Sequence, residues 1–137
     1  MAEDALEFVN DSFEPEPADA RFVTLRLDAA FPVQANAGAV LFSKKSRTAK
    51  PWTVVAKGEV DNNKLTTAGE TVTFPLLPGT FYALQFVGDA HALDPKAASV
   101  RVDVQVEVDG GHPVPLGGPK QVEQSSAGLR GAAFFHT

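Results

Sequence analysis

Apolar and polar residues alternate most cleanly over 100–109, where Val100, Val102, Val104, Val106 and Val108 are interleaved with Arg101, Asp103, Gln105, Glu107 and Asp109. A period of two is that of a strand with one buried and one solvated face. Val23, Leu25 and Leu27 alternate in the same way with Thr24, Arg26 and Asp28, as do Val72, Phe74 and Leu76 with Thr71 and Thr73. Residues 39–43 and 52–60 are rich in β-branched and aromatic side chains, which suit a pleated, half-buried surface. Asp61-Asn62-Asn63-Lys64 reads as a turn, because Asn tolerates left-handed backbone angles and Asp bonds its own backbone. Residues 52–60 are therefore expected to form a hairpin with 65–67.

Residues 80–87 depart from simple alternation. Tyr82, Leu84 and Phe86 load one face while Phe81, Ala83 and Val87 load the other. A strand apolar on both faces is either central and covered twice, or lies at an interface. With a further strand at 132–136, seven or eight short strands are predicted, and no segment has the length and period of a core helix. The predicted fold is all-β, an antiparallel β-sandwich with Greek-key connections or a jelly roll.

The stretch from Glu70 to Leu84 contains Leu76-Leu77-Pro78-Gly79-Thr80-Phe81-Tyr82 between two strand patterns. It resembles the strand–turn–strand corner of immunoglobulin-like and carboxypeptidase-regulatory-type β-sandwich modules. The resemblance implies an Ig-like Greek key and a non-catalytic spacer, binding module or appendage. Leu77 stands where that pattern often has its first proline and Phe81 where it has tyrosine, which would remove the hydroxyl that ties the corner to backbone.

The ends differ from this body. Glu3, Asp4, Glu7, Asp11, Glu14, Glu16 and Asp19 all precede the first basic residue, Arg21. The first twenty residues thus carry −7, and the rest, with ten acids against twelve Lys and Arg, carries +2, for a net charge of −5. Leu6, Val9 and Phe13 have a helix-like spacing that allows one or two amphipathic turns over 3–13, while Glu14-Pro15-Glu16-Pro17 is expected to be extended. Residues 1–20 are read as an acidic arm that either stays solvated or docks on a partner through Leu6, Phe8, Val9 and Phe13. Residues 110–119 are dense in Gly and Pro, and 110–137 are read as a connector followed by an arm or last strand ending in Phe134-Phe135. Fully burying a Phe is worth roughly 1.5–3 kcal/mol, so this pair is expected to be covered, by its own core or by a neighbouring subunit. The sandwich itself is assigned to 21–109 and expected to fold without either arm.

At 137 residues and 14.5 kDa the chain fits one domain. Its 44% hydrophobic and 21% charged content is that of a globular protein. Cysteine is absent, which removes disulfides, thiolate metal sites and cysteine nucleophiles. No apolar run reaches a membrane span, and Met1-Ala2-Glu3-Asp4 lacks a basic signal-peptide start, so a virion or cytoplasmic location is expected.

Candidate chemistry is sparse. His91, His112 and His136 are far apart and are placed in loops or at the end, without the paired spacing of a zinc motif. Asp103, Glu107 and Asp109 share the wet face of one strand, which is read as solvated. No serine lies in a nucleophile elbow and no phosphate loop occurs. No enzyme activity, cofactor, metal or membrane contact is expected. Lys44, Lys45, Arg47 and Lys50 form a basic loop beside Pro51 and Trp52. The acidic chain, with a pI near 5.1, argues against nucleic acid there, and the loop is read either as a solvated tip or as the dock of an acidic arm in cis or in trans. The expected function is a structural protein that joins a multi-subunit assembly through its arms, including copies of itself. A decoration, cement or minor structural protein of a phage-like particle is one such protein. The alternative is a carbohydrate-type ligand-binding module with Trp52, Tyr82 or Phe31 as stacking platform.

Overall fold

The regular alternation along the chain becomes eleven strands in a computed structural model, which describes residues 5–10, 14–15, 20–29, 33–46, 48, 50–62, 70–94, 96, 99–109 and 112–137. The strands are β1 (Ala5–Val9), β2 (Glu14–Pro15), β3 (Phe22–Asp28), β4 (Val33–Lys44), β5 (Thr53–Asn62), β6 (Glu70–Pro75), β7 (Phe81–Ala92), β8 (Val100–Val108), β9 (His112–Val114), β10 (Lys120–Val122) and β11 (Ser126–His136). No helix occurs among the described residues. The strands form two sheets, mostly antiparallel, so the protein is an all-β sandwich.

Sheet I runs β1-β11-β7-β4-β5, with β2 also on β11; sheet II runs β10-β8-β3-β6, with β9 on β8. The five valines of β8 are buried, as their alternation requires, and three of them, Val108, Val106 and Val104, lie opposite Val23, Leu25 and Leu27 of β3. From the other sheet, Ala35, Ala37, Ala39 and Leu41 of β4 and Tyr82, Leu84 and Phe86 of β7 close the core.

Strands β4 and β7 extend well past the segments expected from sequence. Residues 33–38 and 88–92 are short of large apolar side chains, because the sheet there is filled by Ala35, Ala37 and Ala90, and Gly88 lies against the backbone of Asn36 and Ala37. A Cβ at Gly88 would overlap the Asn36 carbonyl oxygen, so only glycine allows the two long strands to stay paired. The expected partner strand at 65–67 falls outside the described residues.

Both ends belong to the sandwich. Over 5–10 the chain is extended rather than helical: Leu6 and Phe8 enter the core, whereas Glu7 and Val9 point away. That alternation competes in the sequence with the i, i+3 coincidence of Leu6 and Val9, and burial of Leu6 and Phe8 on one face decides it. β1 and β2 pair in parallel with β11, and Asn10 directly follows β1. The Asn10 side chain bridges to β11, with Nδ2 donating to the Phe134 carbonyl and Oδ1 accepting from the Phe134 amide, both at 2.8 Å. Its amide group thus replaces a rung of the parallel ladder. β11 carries Leu129, Ala133 and Phe135 into the core, and Phe135 is fully buried and stacked on Tyr82 at 5.4 Å between ring centroids. Residues 21–109 therefore do not hold the core alone. The Gly/Pro-rich segment contributes Val114 and Leu116 to it, and turns at Gly117 and Gly118, both at positive φ.

The corner between β6 and β7 is tied by a hydroxyl, although Phe81 at the expected tyrosine position implied that none would be there. Tyr82, not the residue at position 81, carries it: the Leu77 amide donates to Tyr82 Oη at 2.7 Å. Thr137 locks the same corner, its amide donating to the Thr80 carbonyl and its hydroxyl to the Leu77 carbonyl.

Candidate functional site

The two sheets present unlike outer faces. On sheet II the outward positions are Phe22, Thr24, Arg26 and Asp28 of β3, Thr71, Thr73 and Pro75 of β6, and Arg101, Asp103, Gln105 and Glu107 of β8, all exposed or half-buried and polar apart from the paired Phe22 and Pro75. Thr24 and Thr73 hydroxyls meet at 3.0 Å, and Gln105 donates to Asp103, as on a solvated surface. The carboxylate of Asp109 is engaged locally, accepting from the amides of Arg21 and Phe22.

Sheet I carries apolar residues outside as well as inside, alongside charged ones. Its cross-strand register arranges the outward side chains in rows. One row is Phe134, Ala83, Phe42 and Val54, from β11, β7, β4 and β5. The next is Val9, Ala132, Gln85, Val40 and Lys57, and the third Glu7, Arg130, Val87, Gly38 and Glu59. Val87 is 66% exposed, and Val9 and Val54 are each 50% exposed. Ala83 is buried without joining the core cluster, as expected of a small residue sunk between larger neighbours in its row. A groove of about 450 Å³ runs along this face, lined among others by Val9, Val40, Val87 and Ala132. Gly38 leaves a hollow beside Val87, since a Cβ there would meet nothing nearer than the Val87 carbonyl oxygen at 4.0 Å. β7 is thus central in its sheet, covered on the inner face by sheet II and bearing an exposed valine on the outer one. Large exposed apolar patches mark contact surfaces.

Comparison with protein-family models, curated proteins and solved structures finds no match for this chain. The reading of function therefore rests on the geometry of its own residues.

The residues singled out from sequence fall into three groups. Leu6, Phe8 and Phe135 are buried in the core of their own chain. Val9 and Phe134 lie on the outer face of sheet I, the first exposed and the second half-buried. Lys44 ends β4, its Nζ 4.5 Å from the Trp52 ring centroid, and Lys45 and Lys50 are exposed nearby. Phe13 and Arg47, with Phe31, lie outside the described residues. The acidic arm pairs its Glu7 with Arg130 on β11. β2 is separated from Lys44 by His136 and Phe81 in one cross-strand row, so about 14 Å divides them at ordinary strand spacing.

The histidines are on strands rather than loops, His91 on β7, His112 on β9 and His136 on β11, the last with its ring 5.3 Å from Phe81. Among the described residues no group of three or more His, Asp or Glu side chains converges on a metal position. Tyr82, offered as a stacking platform, is 1% exposed and occupied by the corner and Phe135, which removes it from any ligand surface. Sequence reasoning missed Val40, Phe42, Val54 and Ala132 as members of one face. The missing signal was register, because each strand's outward residues gain meaning only when their cross-strand neighbours are known.

Proposed function

We propose that the protein is a non-enzymatic structural subunit, an immunoglobulin-like β-sandwich that packs into a multi-subunit assembly through the outer face of sheet I. A decoration, cement or minor structural protein of a phage-like particle is one role of this kind. The observation that carries the reading is the contrast between the two outer faces: that of sheet II is polar except at Phe22 and Pro75, whereas that of sheet I carries one wholly apolar row from Phe134 to Val54 and a second led by Val9, Ala132 and Val40, bordered by a row holding Glu7, Arg130 and Glu59. The terminal strands take part, but by presenting Val9, Ala132 and Phe134 from within the sheet rather than as free arms.

Several features support the Ig-like assignment. β3 is flanked by β6, β4 lies between β5 and β7, and β7 lies beside β11, as in the B–E and C′–C–F–G pairings of such domains. A buried tyrosine near the start of β7 ties the preceding corner to backbone.

The test is to express the wild-type chain and a Val40→Glu/Val87→Glu variant with the native partners and to separate extracts by velocity sedimentation. Wild type should travel in a complex much heavier than the chain and the variant as a free chain with unchanged β-sheet circular dichroism. Both proteins sedimenting as free chains would contradict the proposal.

A further inference from the structure

Resting on that reading of the apolar face, we infer that its occupant is the same face of a second copy, related by a two-fold axis parallel to the strands and midway between β4 and β7. Under this operation each β7 residue faces the β4 residue of the partner with which it is paired inside its own sheet, and each outward β11 residue faces the β5 residue of its own row. The register then fixes what meets what. Val87 meets Gly38, Ala83 meets Phe42, and Gln85 meets Val40. Arg130 meets Glu59, Ala132 meets the stem of Lys57, and Phe134 meets Val54.

Three properties of these pairs favour self-association. The first is shape: the knob of Val87 meets the hollow left by Gly38, and the sunken Ala83 meets Phe42, so large and small alternate across the two central strands. An isologous interface needs this reciprocity, since every contact occurs twice. The second is charge: Arg130 on β11, which also holds Glu7 of its own chain, and Glu59 on β5 are equidistant from the axis and of opposite sign, so both copies of the pair attract.

The third is size. Four strands, β11, β7, β4 and β5, overlap under this operation, and at about 4.8 Å spacing over an eight-residue rise of about 3.4 Å each they present a face of roughly 19 by 27 Å. Its projected area of about 500 Å², below the roughly 800 Å² that each partner contributes to a standard interface, is that of a weak, reversible dimer. Aligned sheets pack about 10 Å apart with their strands within about 30°, which a two-fold axis along the strands permits.

The decisive experiment uses the purified full-length chain in sedimentation equilibrium, with three variants at exposed or open positions. Wild type should dimerise. Gly38→Leu fills the hollow where its own fold leaves room, and should weaken the dimer at least tenfold with the circular dichroism unchanged. Glu59→Arg and Arg130→Glu should each weaken it about tenfold or more by placing like charges opposite one another. Mixing those two variants should restore association to near the wild-type level, because their heterodimer has one original and one reversed ion pair.

A monomeric wild-type chain at high concentration would overturn the self-pairing. So would a dimer indifferent to Gly38→Leu, or a mixture that fails to recover. A chain that is monomeric alone but sediments in a large complex with its native partners would overturn this inference and leave the proposed function standing.

Discussion

At the scale of single residues, a few polar groups fix geometry that the hydrophobic pattern leaves open. Tyr82 is the clearest. Its ring stacks on Phe135 within the core while its hydroxyl accepts the Leu77 amide at a corner whose tip is exposed. Replacing Tyr82 by Phe keeps the ring and removes the acceptor, so the urea midpoint should fall by the equivalent of about 1 kcal/mol, the usual net worth of one hydrogen bond. An unchanged midpoint would mean that water serves the Leu77 amide equally well. The sequence showed that a tyrosine stood near the corner but not which of two adjacent aromatics turned inward. That depends on the phase of β7 against the core, since Leu84 and Phe86 share the face of Tyr82 and draw it inside. Asn10 was not legible at all, because an asparagine between two short strands has no pattern until its neighbour Phe134 is known.

Among the elements, β8 was fully legible, since five valines at period two admit one orientation. β4 and β7 were legible only in their aromatic halves, because small residues replace large ones where the two strands and the sheets come close. The terminal strands were the least legible. β1 pairs in parallel with a strand more than a hundred residues away, and no local signal reports so distant a partner. β11 separates two adjacent phenylalanines onto opposite faces, which predicts opposite outcomes for one substitution. Phe135→Ala empties a fully buried site and should cost about 3–5 kcal/mol. Phe134→Ala removes a half-buried ring from the outer face and should leave the chain folded, with a much smaller shift in thermal unfolding but weakened association. Equal losses of stability for the two would contradict the assignment of β11 as a strand of the sandwich.

For the whole molecule, one chain must reconcile a largely polar outer face and one with apolar rows on opposite sides of a single core. Acidic character does not keep residues 5–10 out of the fold, because Glu7 sits on β1 and pairs with Arg130. That exposed pair is worth little by itself and weakens with salt. Apolar contact across the outer face of sheet I does not weaken in this way, so association should persist at high ionic strength. The most direct measurement exploits the absence of cysteine, which makes any introduced thiol the only one. Val87→Cys places it on the outer face of sheet I, and Arg101→Cys on the outer face of sheet II. Maleimide labelling of each is followed as the chain is concentrated from below to above its association range. The account predicts that the thiol at 87 reacts at least tenfold more slowly once the chain associates while the thiol at 101 keeps its rate. Equal rates at 87 throughout, or protection at 101 instead, would contradict it.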